Sequence, residues 1–276
     1  MSLPESLSAS GAGALKAILR APSQTLIATD FDGTLAPIVE DPEQAYADPN
    51  AVAALGRLGE HVGAVVVITG RPVRTAVRLG RFRGVAGLQS MTIVGQYGVE
   101  RWNAADDEYL LPPDPPQISA VAEELPKILD SLGMSEARIE DKGRAIAIHT
   151  RSLPDPKVAL AQLEEPLGDL AGRHGLMLAP GKNVWEIRTP DMDKGAALRS
   201  IVEETGARQV IFAGDDLGDL PAFRAVRELA TAGVAGLLVC SASTEEDALT
   251  ELSDVIVDGP PGLAAWLDEL AEGLGG

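Results

Sequence analysis

Residues that form cross-links or bind soft metals are scarce in this chain. Its 276 residues include one cysteine, Cys240, and three histidines. One cysteine cannot form an intrachain disulfide bond, and this count excludes a cysteine-rich metal site. A metal bound by the chain is therefore expected to be a hard cation held by oxygen atoms. The lack of disulfides fits a reducing compartment, and we expect a cytoplasmic protein.

Positive charge is also scarce. The chain has 23 lysines and arginines and 41 aspartates and glutamates, which gives a formal net charge of −18. A field of this sign repels nucleic acids and anionic membranes, so neither is an expected partner. No apolar run approaches the roughly 18 to 20 residues that a membrane-spanning helix needs. Residues 1–13 lack a basic region ahead of an apolar block, so no secretory signal is predicted. The sequence sets no oligomeric state and is compatible with a monomer.

An acidic stretch beginning at Asp30 organises the functional prediction. Residues 26–28 form a short apolar strand that leads into Asp30-Phe31-Asp32-Gly33-Thr34. Ligands of open α/β sheets bind at the carboxyl ends of strands, and side chains two apart on an extended chain point the same way. Asp30 and Asp32 can therefore share one site, beside a divalent cation or with one of them protonated as a general acid. The alternative is a plain turn, in which the aspartates bond to nearby amides.

Two further strand ends carry polar residues. The apolar strand 64–68 ends in Thr69-Gly70-Arg71-Pro72, and strand 91–94 leads into Gly95-Gln96-Tyr97-Gly98-Val99-Glu100. A hydroxyl group at the end of a second parallel strand could bind phosphate, although a strand-to-helix turn would also explain it. Glycines three residues apart let the backbone fold tightly or approach a ligand. For Glu100, a surface position after the turn is the alternative to ligand binding.

The last acidic loop predicts a metal site. The apolar strand 209–213 ends in Gly214-Asp215-Asp216-Leu217-Gly218-Asp219, and Lys194 begins a helix just before this strand. A lysine near a helix start usually lies in solvent, but Lys194 could instead neutralise Asp30 and a bound phosphate. Oxygen ligands suit Mg²⁺, which is the predicted cofactor. The expected metal-binding residues are Asp30, Asp32 through its backbone carbonyl, Asp215, Asp216 and Asp219.

A change in composition predicts an inserted second domain. Residues 103–117 hold four acids and four prolines, which cannot continue a central strand or helix. We predict a core domain at 1–104 and 189–276, with a small α+β domain at 105–188 between its two parts. Within the insertion, Glu186 and Arg188 share one face of a strand that follows Lys182. These three residues form either a surface ion-pair group or a polar rim that reaches a sugar.

The ordered motifs resemble those of the haloacid dehalogenase-like phosphohydrolases, which this chain matches with Asp30/Asp32, Thr69, Lys194 and Asp215/Asp219. The resemblance implies a Rossmann-like α/β core with a parallel sheet, helices on both faces and an inserted α+β cap. It implies that Asp30 attacks phosphorus to form a phosphoaspartate and that Asp32 serves as acid and base. Thr69 and Lys194 would then hold the phosphate. The same motifs assign further substrate binding to Gly33, Thr34, Gly70 and Arg71.

A narrower resemblance is to the trehalose-6-phosphate phosphatases of that superfamily. It depends on the segments Gly95 to Glu100, His149-Thr150-Arg151, Gly181 to Arg188 and Gly214-Asp215-Asp216. It implies Mg²⁺-dependent hydrolysis of trehalose-6-phosphate to trehalose and phosphate, with the sugar bound by Glu100, Lys182, Glu186 and Arg188. The chain departs from the family pattern at four places, Thr150, Thr189, Gly218 and Leu220.

Three other functions share parts of this pattern. A phosphatase for another sugar phosphate, such as sucrose phosphate or mannosyl phosphoglycerate, would carry the same catalytic motifs. A phosphosugar mutase would return the phosphoryl group to a sugar instead of losing it to water. A catalytically silent binding module would need neither the nucleophile nor the acid, so the presence of both Asp30 and Asp32 argues against it.

Overall fold

The chain forms two compact units in a computed structural model that describes residues 8–181, 183–190, 193–242 and 249–275. The first unit comprises Met1–Leu111 and Asp193–Gly276, and the second comprises Pro112–Met192. The second unit is thus inserted into the first.

An eight-stranded sheet forms the centre of the first unit, in the order β12-β11-β10-β1-β2-β3-β4-β5. Its strands are β1 (Thr25–Thr29), β2 (Ala64–Ile68), β3 (Thr92–Gly95), β4 (Glu100–Asn103), β5 (Glu108–Leu110), β10 (Gln209–Gly214), β11 (Ala235–Ala242) and β12 (Val255–Asp258). The six strands from β12 to β3 are parallel, whereas β4 and β5 extend the sheet as antiparallel neighbours. Chain order runs outward in opposite directions from β1 and β10, which makes this pair the topological switch point.

Helices cover both faces of this sheet, because its central strands are apolar on both sides. The helices of the first unit are α1 (Ala9–Arg20), α2 (Pro49–Gly59), α3 (Val73–Gly80), α6 (Lys194–Thr205), α7 (Leu220–Thr231) and α8 (Gly259–Gly275). Apolar side chains of α1, α2, α3 and α8 pack in one cluster, and those of α6 and α7 pack in another. The predicted α/β class, with a parallel sheet between two helical layers, is confirmed.

The second unit is a four-stranded antiparallel sheet with two helices. Its strands lie in the order β6-β7-β9-β8. The elements are α4 (Pro116–Ser131), β6 (Arg138–Asp141), β7 (Ala145–His149), α5 (Pro156–Arg173), β8 (Met177–Gly181) and β9 (Val184–Arg188). Ile146 and Ile148 of β7 join Trp185 and Ile187 of β9 in a core with both helices. Strand alternation therefore places Glu186 and Arg188 on the opposite sheet face.

The limits of the inserted unit differ from the predicted 105 and 188. Residues 108–110 pair with β4 as an edge strand, so the chain stays in the first unit up to Leu111. The proline-rich composition signalled the break several residues too early, since an edge strand tolerates nearby prolines. Helix α4 continues through Pro126, although a proline inside a helix removes one backbone hydrogen bond and usually interrupts it. Pro126 is exposed, while Val121, Leu125 and Leu129 bury the other helix face and hold it together.

Within the described part of the chain, we find no helix with both the length and the apolar character needed to span a membrane.

Candidate active site

The switch point between β1 and β10 brings two acidic loops together. β1 pairs with β10 in parallel from Thr25 to Thr29, and the amide of Asp30 continues the ladder by donating to the carbonyl of Ala213 at 2.8 Å. Asp30 and Asp215 therefore leave neighbouring strands at the same edge of the sheet. This is the position at which open α/β sheets bind ligands.

Lys194 lies among the carboxylates of these loops. Its ammonium nitrogen is 2.6 Å from Oδ1 of Asp30 and 2.8 Å from Oδ1 of Asp219. These residues and Asp215 are at most 6% exposed. The sequence left Lys194 either in solvent or in the acidic site, and the structure places it in the site.

Local capping explains how Lys194 reaches this position. The carboxylate of Asp193 accepts hydrogen bonds from the amides of Gly195, at 2.6 Å, and Ala196, at 2.9 Å. Asp193 thereby caps α6 and satisfies amides that have no partner within the helix. Lys194 becomes the first helical residue, and its side chain extends toward the two acidic loops.

The two acidic loops also bond to each other. Thr34 of the first loop donates its hydroxyl hydrogen to Oδ1 of Asp215 in the second at 3.2 Å. Within the second loop, the amide of Asp215 donates to Oδ2 of Asp219 at 2.9 Å. Gly33 has a φ of +74°, and a Cβ atom there would lie 2.0 Å from Oδ2 of Asp215. Glycine is required at this position because a side chain would collide with the acid cluster.

Burial and mutual repulsion shift the acid–base behaviour of the cluster. Burial raises the pKa of Asp30 well above its usual value, and the nearby Asp219 charge adds to this effect while Lys194 opposes it. The same causes raise the pKa of Asp215 to about 10. Burial alone would lower the pKa of Lys194, but the charges of Asp219 and Asp30 outweigh it and hold the pKa well above its usual value. The ammonium stays charged and leaves the acids incompletely compensated.

These residues fit a divalent cation. Among the described residues, Asp30, Asp215 and Asp219 offer carboxylate oxygens within 4.8 Å of one another. Three buried acids beside one ammonium carry excess negative charge when they are ionised, and an oxygen-coordinated ion such as Mg²⁺ would neutralise it. Asp216, also predicted as a ligand, lies outside this group, and its carboxylate accepts from the amide of Gly218 at 2.8 Å.

The side chain of Asp32 lies outside the three-acid group as well. Its two oxygens accept from Nε of Arg71 at 2.7 Å and from Nη2 at 2.6 Å, in a forked ion pair. Arg71 also donates to the carbonyl of Pro42 at 3.0 Å, and its guanidinium lies 5.6 Å from the centre of the Phe31 ring. Arg71, which the sequence assigned to substrate binding, thus contacts the predicted acid and base directly.

Thr69 and Gly70 lie at the end of β2, in the turn that precedes α3. Thr69 is buried, and its hydroxyl oxygen accepts from the amide of Arg71 at 3.1 Å. A Cβ atom at Gly70 would lie 2.6 Å from the ring of Tyr97, so this turn packs directly against the Gly95 to Glu100 segment. Glu100, predicted to bind sugar, accepts from the amide of Val73 at 2.6 Å.

The second unit holds the remaining predicted substrate-binding residues. Glu186 is buried, and its Oε2 atom lies 2.7 Å from Nζ of Lys142. Nη1 of Arg188 lies 3.8 Å from the other oxygen of Glu186. Lys182 lies outside the described residues.

Sequence reasoning missed two residues of these groups. Ser241 donates to the carbonyl of Gly33 at 2.8 Å and so anchors the first acidic loop. The signal that could have identified it is its position near the carboxyl end of the parallel strand β11. Lys142 follows a strand that the sequence did not predict, and its pairing with Glu186 crosses the sheet between residues distant in the chain. No local pattern marks it.

The raised acid pKa values predict an unusual dependence of stability on pH. Unfolded aspartates lose their protons near the ordinary value of 3.8, whereas the pKa of folded Asp215 is about 10. Between these values the folded state binds more protons, so the free energy of unfolding falls as pH rises, by about 1.4 kcal/mol per pH unit for each extra proton. Urea unfolding in EDTA from pH 7 to pH 9 should show this decline, and Asp215→Asn should make it shallower.

The same urea unfolding series is repeated with Mg²⁺ in place of EDTA. A cation that occupies the acid cluster replaces the retained protons, so adding Mg²⁺ should reduce the decline in wild-type protein. A decline of equal slope in wild-type and Asp215→Asn protein would contradict the assignment of raised pKa values to this cluster.

Comparisons with known proteins agree with this geometry. The model of the family described as Trehalose-phosphatase matches residues 28–254. A Mycobacterium avium protein named trehalose-phosphate phosphatase is 29% identical over 253 residues, covering 89% of this chain and 61% of that protein. A Mycobacterium tuberculosis protein described as an uncharacterized glycosyl hydrolase is 36% identical over 212 residues, covering 72% of this chain and 15% of that protein. The chain thus spans less than two thirds of the length of these relatives.

Solved structures share the fold. The C-terminal domain of a C. albicans trehalose-6-phosphate phosphatase superposes with a TM-score of 0.76 at 19% identity, covering 98% of each chain. A haloacid dehalogenase-like hydrolase from Bacteroides thetaiotaomicron gives a TM-score of 0.61 at 18% identity, covering 89% of this chain and 99% of that one. With the family model matching most of its length and the acid cluster lying at the expected sheet edge, this chain belongs to the trehalose-phosphatase family, with a haloacid dehalogenase-like fold.

Proposed function

We propose that this chain hydrolyses trehalose-6-phosphate to trehalose and phosphate, through a phosphoaspartate formed on Asp30. The observation that carries the proposal is the contact of Lys194 with Asp30 at 2.6 Å within the buried acid cluster. Such a lysine can neutralise the nucleophile and a phosphate together, which allows one anion to attack another. Membership of the trehalose-phosphatase family supports the choice of substrate.

The chain's own residues provide both steps of the reaction. A carboxylate oxygen of Asp30 attacks phosphorus and the bond to the sugar oxygen breaks, while Asp32 gives that oxygen its proton. A water molecule then attacks the phosphorus of the phosphoaspartate, and Asp32 takes up the water proton as phosphate leaves. Arg71 fixes the position of Asp32 through a forked ion pair in which both carboxylate oxygens accept hydrogen bonds. This pairing has to open at one oxygen before Asp32 can hold the proton that it donates.

Lys194, the hydroxyl of Thr69 and a divalent cation would compensate the negative charge of the phosphate. Asp30, Asp215 and Asp219 are the residues that would hold Mg²⁺, with Asp216 and the carbonyl of Asp32 as further candidates. When bound, the ion would withdraw charge from the phosphate oxygens and lower the repulsion of the attacking carboxylate. Thr69 would bind a non-bridging phosphate oxygen, next to Gly33, Thr34 and Gly70.

A phosphate-release assay tests this function. The wild-type chain is mixed with Mg²⁺ and, in separate reactions, with trehalose-6-phosphate, sucrose-6-phosphate, glucose-6-phosphate and mannosyl phosphoglycerate. Fastest release from trehalose-6-phosphate, abolished by EDTA, supports the proposal. Faster release from another sugar phosphate would overturn the substrate and keep the reaction. Turnover that depends on an added sugar bisphosphate would identify a mutase, and binding without release would identify a silent module.

Polar residues of the second unit are proposed to recognise the sugar, namely Lys182, Glu186 and Arg188. Glu186→Gln keeps the size of the side chain but removes the charge that faces Lys142 at 2.7 Å. If the charged Glu186 accepts a hydrogen bond from the sugar, loss of that charge-assisted bond costs about 1.5 to 3 kcal/mol. The value of kcat/KM for trehalose-6-phosphate should then fall by roughly 10- to 100-fold. Hydrolysis of p-nitrophenyl phosphate, which has no sugar, should be nearly unchanged.

Glu123→Gln, on the exposed face of α4, is the matched control for Glu186→Gln. An equal loss on both substrates would remove Glu186 from sugar recognition.

A further inference from the structure

We propose that Glu100 is a positioning residue for the phosphate-binding turn Thr69–Arg71, acting inside the first unit, and that it does not bind the sugar. The inference rests on the proposed phosphatase function. It reassigns a residue that the sequence pattern placed with the sugar-binding group. We refer below to residues 95–100 as the brace segment.

The brace segment hydrogen-bonds to every second residue from Thr69 to Val73. The amide of Tyr97 donates to the carbonyl of Thr69 at 3.0 Å, and the amide of Gln96 donates to the carbonyl of Arg71 at 2.9 Å. The carboxylate of Glu100 then accepts from the amide of Val73 at 2.6 Å. Three regularly spaced bonds thus fix the backbone from the phosphate-binding hydroxyl to the start of α3.

Glu100 satisfies a group that α3 cannot satisfy by itself. The first amides of a helix lack partners inside the helix, and a side chain of the preceding residue usually accepts from one of them. Here the preceding residue is Pro72, whose side chain has no acceptor. The carboxylate of Glu100 takes that place, and its negative charge is favourable beside the positive end of the helix dipole.

Close packing leaves the turn little room to move against the brace segment. A Cβ atom at Gly95 would lie 2.6 Å from the Val73 amide nitrogen and 2.8 Å from the Arg71 carbonyl oxygen. The ring of Tyr97 fills the space beside Gly70 in the same way. A shift of the brace segment would therefore shift Arg71, whose guanidinium holds the carboxylate of Asp32.

The backbone of the brace segment carries strain that its contacts maintain. Gln96 and Tyr97 have φ values of 48° and 56°, in the left-handed region that non-glycine residues rarely adopt. Such residues are strained, and they persist where the surrounding contacts hold them. Strain of this kind in two consecutive residues is consistent with a segment kept in place for the site beside it.

Two substrates separate positioning from sugar binding. We would measure kcat and KM of wild-type, Glu100→Ala and Glu100→Gln proteins with trehalose-6-phosphate and with p-nitrophenyl phosphate. Because a displaced turn affects any phosphate, Glu100→Ala should lower kcat on both substrates by a similar factor, about 10- to 100-fold. Glu100→Gln keeps an oxygen that can accept from Val73 and should stay within about threefold of wild type on both. Glu203→Ala, exposed at the far end of α6, is the control for an unrelated glutamate.

Hydrogen exchange at the Val73 amide gives a readout that needs no turnover. Loss of its acceptor should speed exchange at least about tenfold in Glu100→Ala, with wild-type protection restored in Glu100→Gln. A loss confined to trehalose-6-phosphate, wild-type kinetics in Glu100→Ala, or unchanged Val73 exchange would each overturn the inference. Absence of phosphate release by the wild-type protein from every substrate would instead defeat the proposed function, so the two failures are distinguishable.

Discussion

Asp30→Asn should lower kcat for phosphate release by at least about 10,000-fold, because an amide oxygen is a poor nucleophile for phosphorus. The substitution keeps the shape of the side chain and its place at the end of β1. Single-turnover assays with radiolabelled substrate should show no labelled phosphoenzyme in the variant. Asp169→Asn, on an exposed position of α5, serves as the matched control and should retain wild-type activity.

Stability measurements separate this loss from unfolding. Asp30 is a buried carboxylate whose pKa is raised by burial and by Asp219, so its charge destabilises the folded protein when no cation is bound. The melting temperature of Asp30→Asn in EDTA should therefore equal or exceed that of the wild type. Hydrolysis by this variant within tenfold of the wild-type rate would exclude Asp30 as the nucleophile.

Lys194→Met should have the second largest effect, acting on both activity and stability. The substitution removes the ammonium that contacts Asp30 and Asp219 but keeps a side chain of similar length. Removal of one preorganised charge-stabilising group typically lowers kcat about 100- to 1,000-fold. Breaking a buried ion pair leaves uncompensated charge and costs about 3 to 5 kcal/mol, so the free energy of unfolding in EDTA should fall by that amount.

Mg²⁺ distinguishes the two parts of the Lys194 effect. A cation bound by the acids should restore much of the lost stability of Lys194→Met, because it compensates the same charges, while kcat stays low. Lys157→Met, exposed on α5, should change neither quantity. Recovery of wild-type kcat at saturating Mg²⁺ would show that Lys194 contributes charge balance to the fold and nothing specific to the phosphate.

Local sequence was sufficient to predict those features that depend on the end of a single strand or on a single helix cap. The apolar strands before Asp30 and Asp215 and the order of the motifs predicted the parallel sheet, and the family resemblance followed from the same residues. The acid cluster itself is a consequence of that order, since carboxyl ends of adjacent parallel strands meet at one edge.

Other features depended on residues far apart in the chain. Arg71 pairs with Asp32, and Glu100 caps α3. Each contact joins separate segments of the chain, and no sequence pattern at either residue indicates its partner. The edge strand at 108–110 was hidden by the prolines that follow it, because its pairing with β4 is a tertiary contact.

The sequence by itself determined the fold class, the family, and the acids and lysine of the site, because each of these follows from residue types at the ends of regular elements. Only the tertiary structure decided which of these side chains touch. It grouped Asp30, Asp215 and Asp219, brought Lys194 into contact with Asp30 and Asp219, and directed the side chain of Asp32 to Arg71. The physical reason is that hydrogen bonds and ion pairs act over a few ångströms in space, whereas their partners lie tens to hundreds of residues apart along the chain.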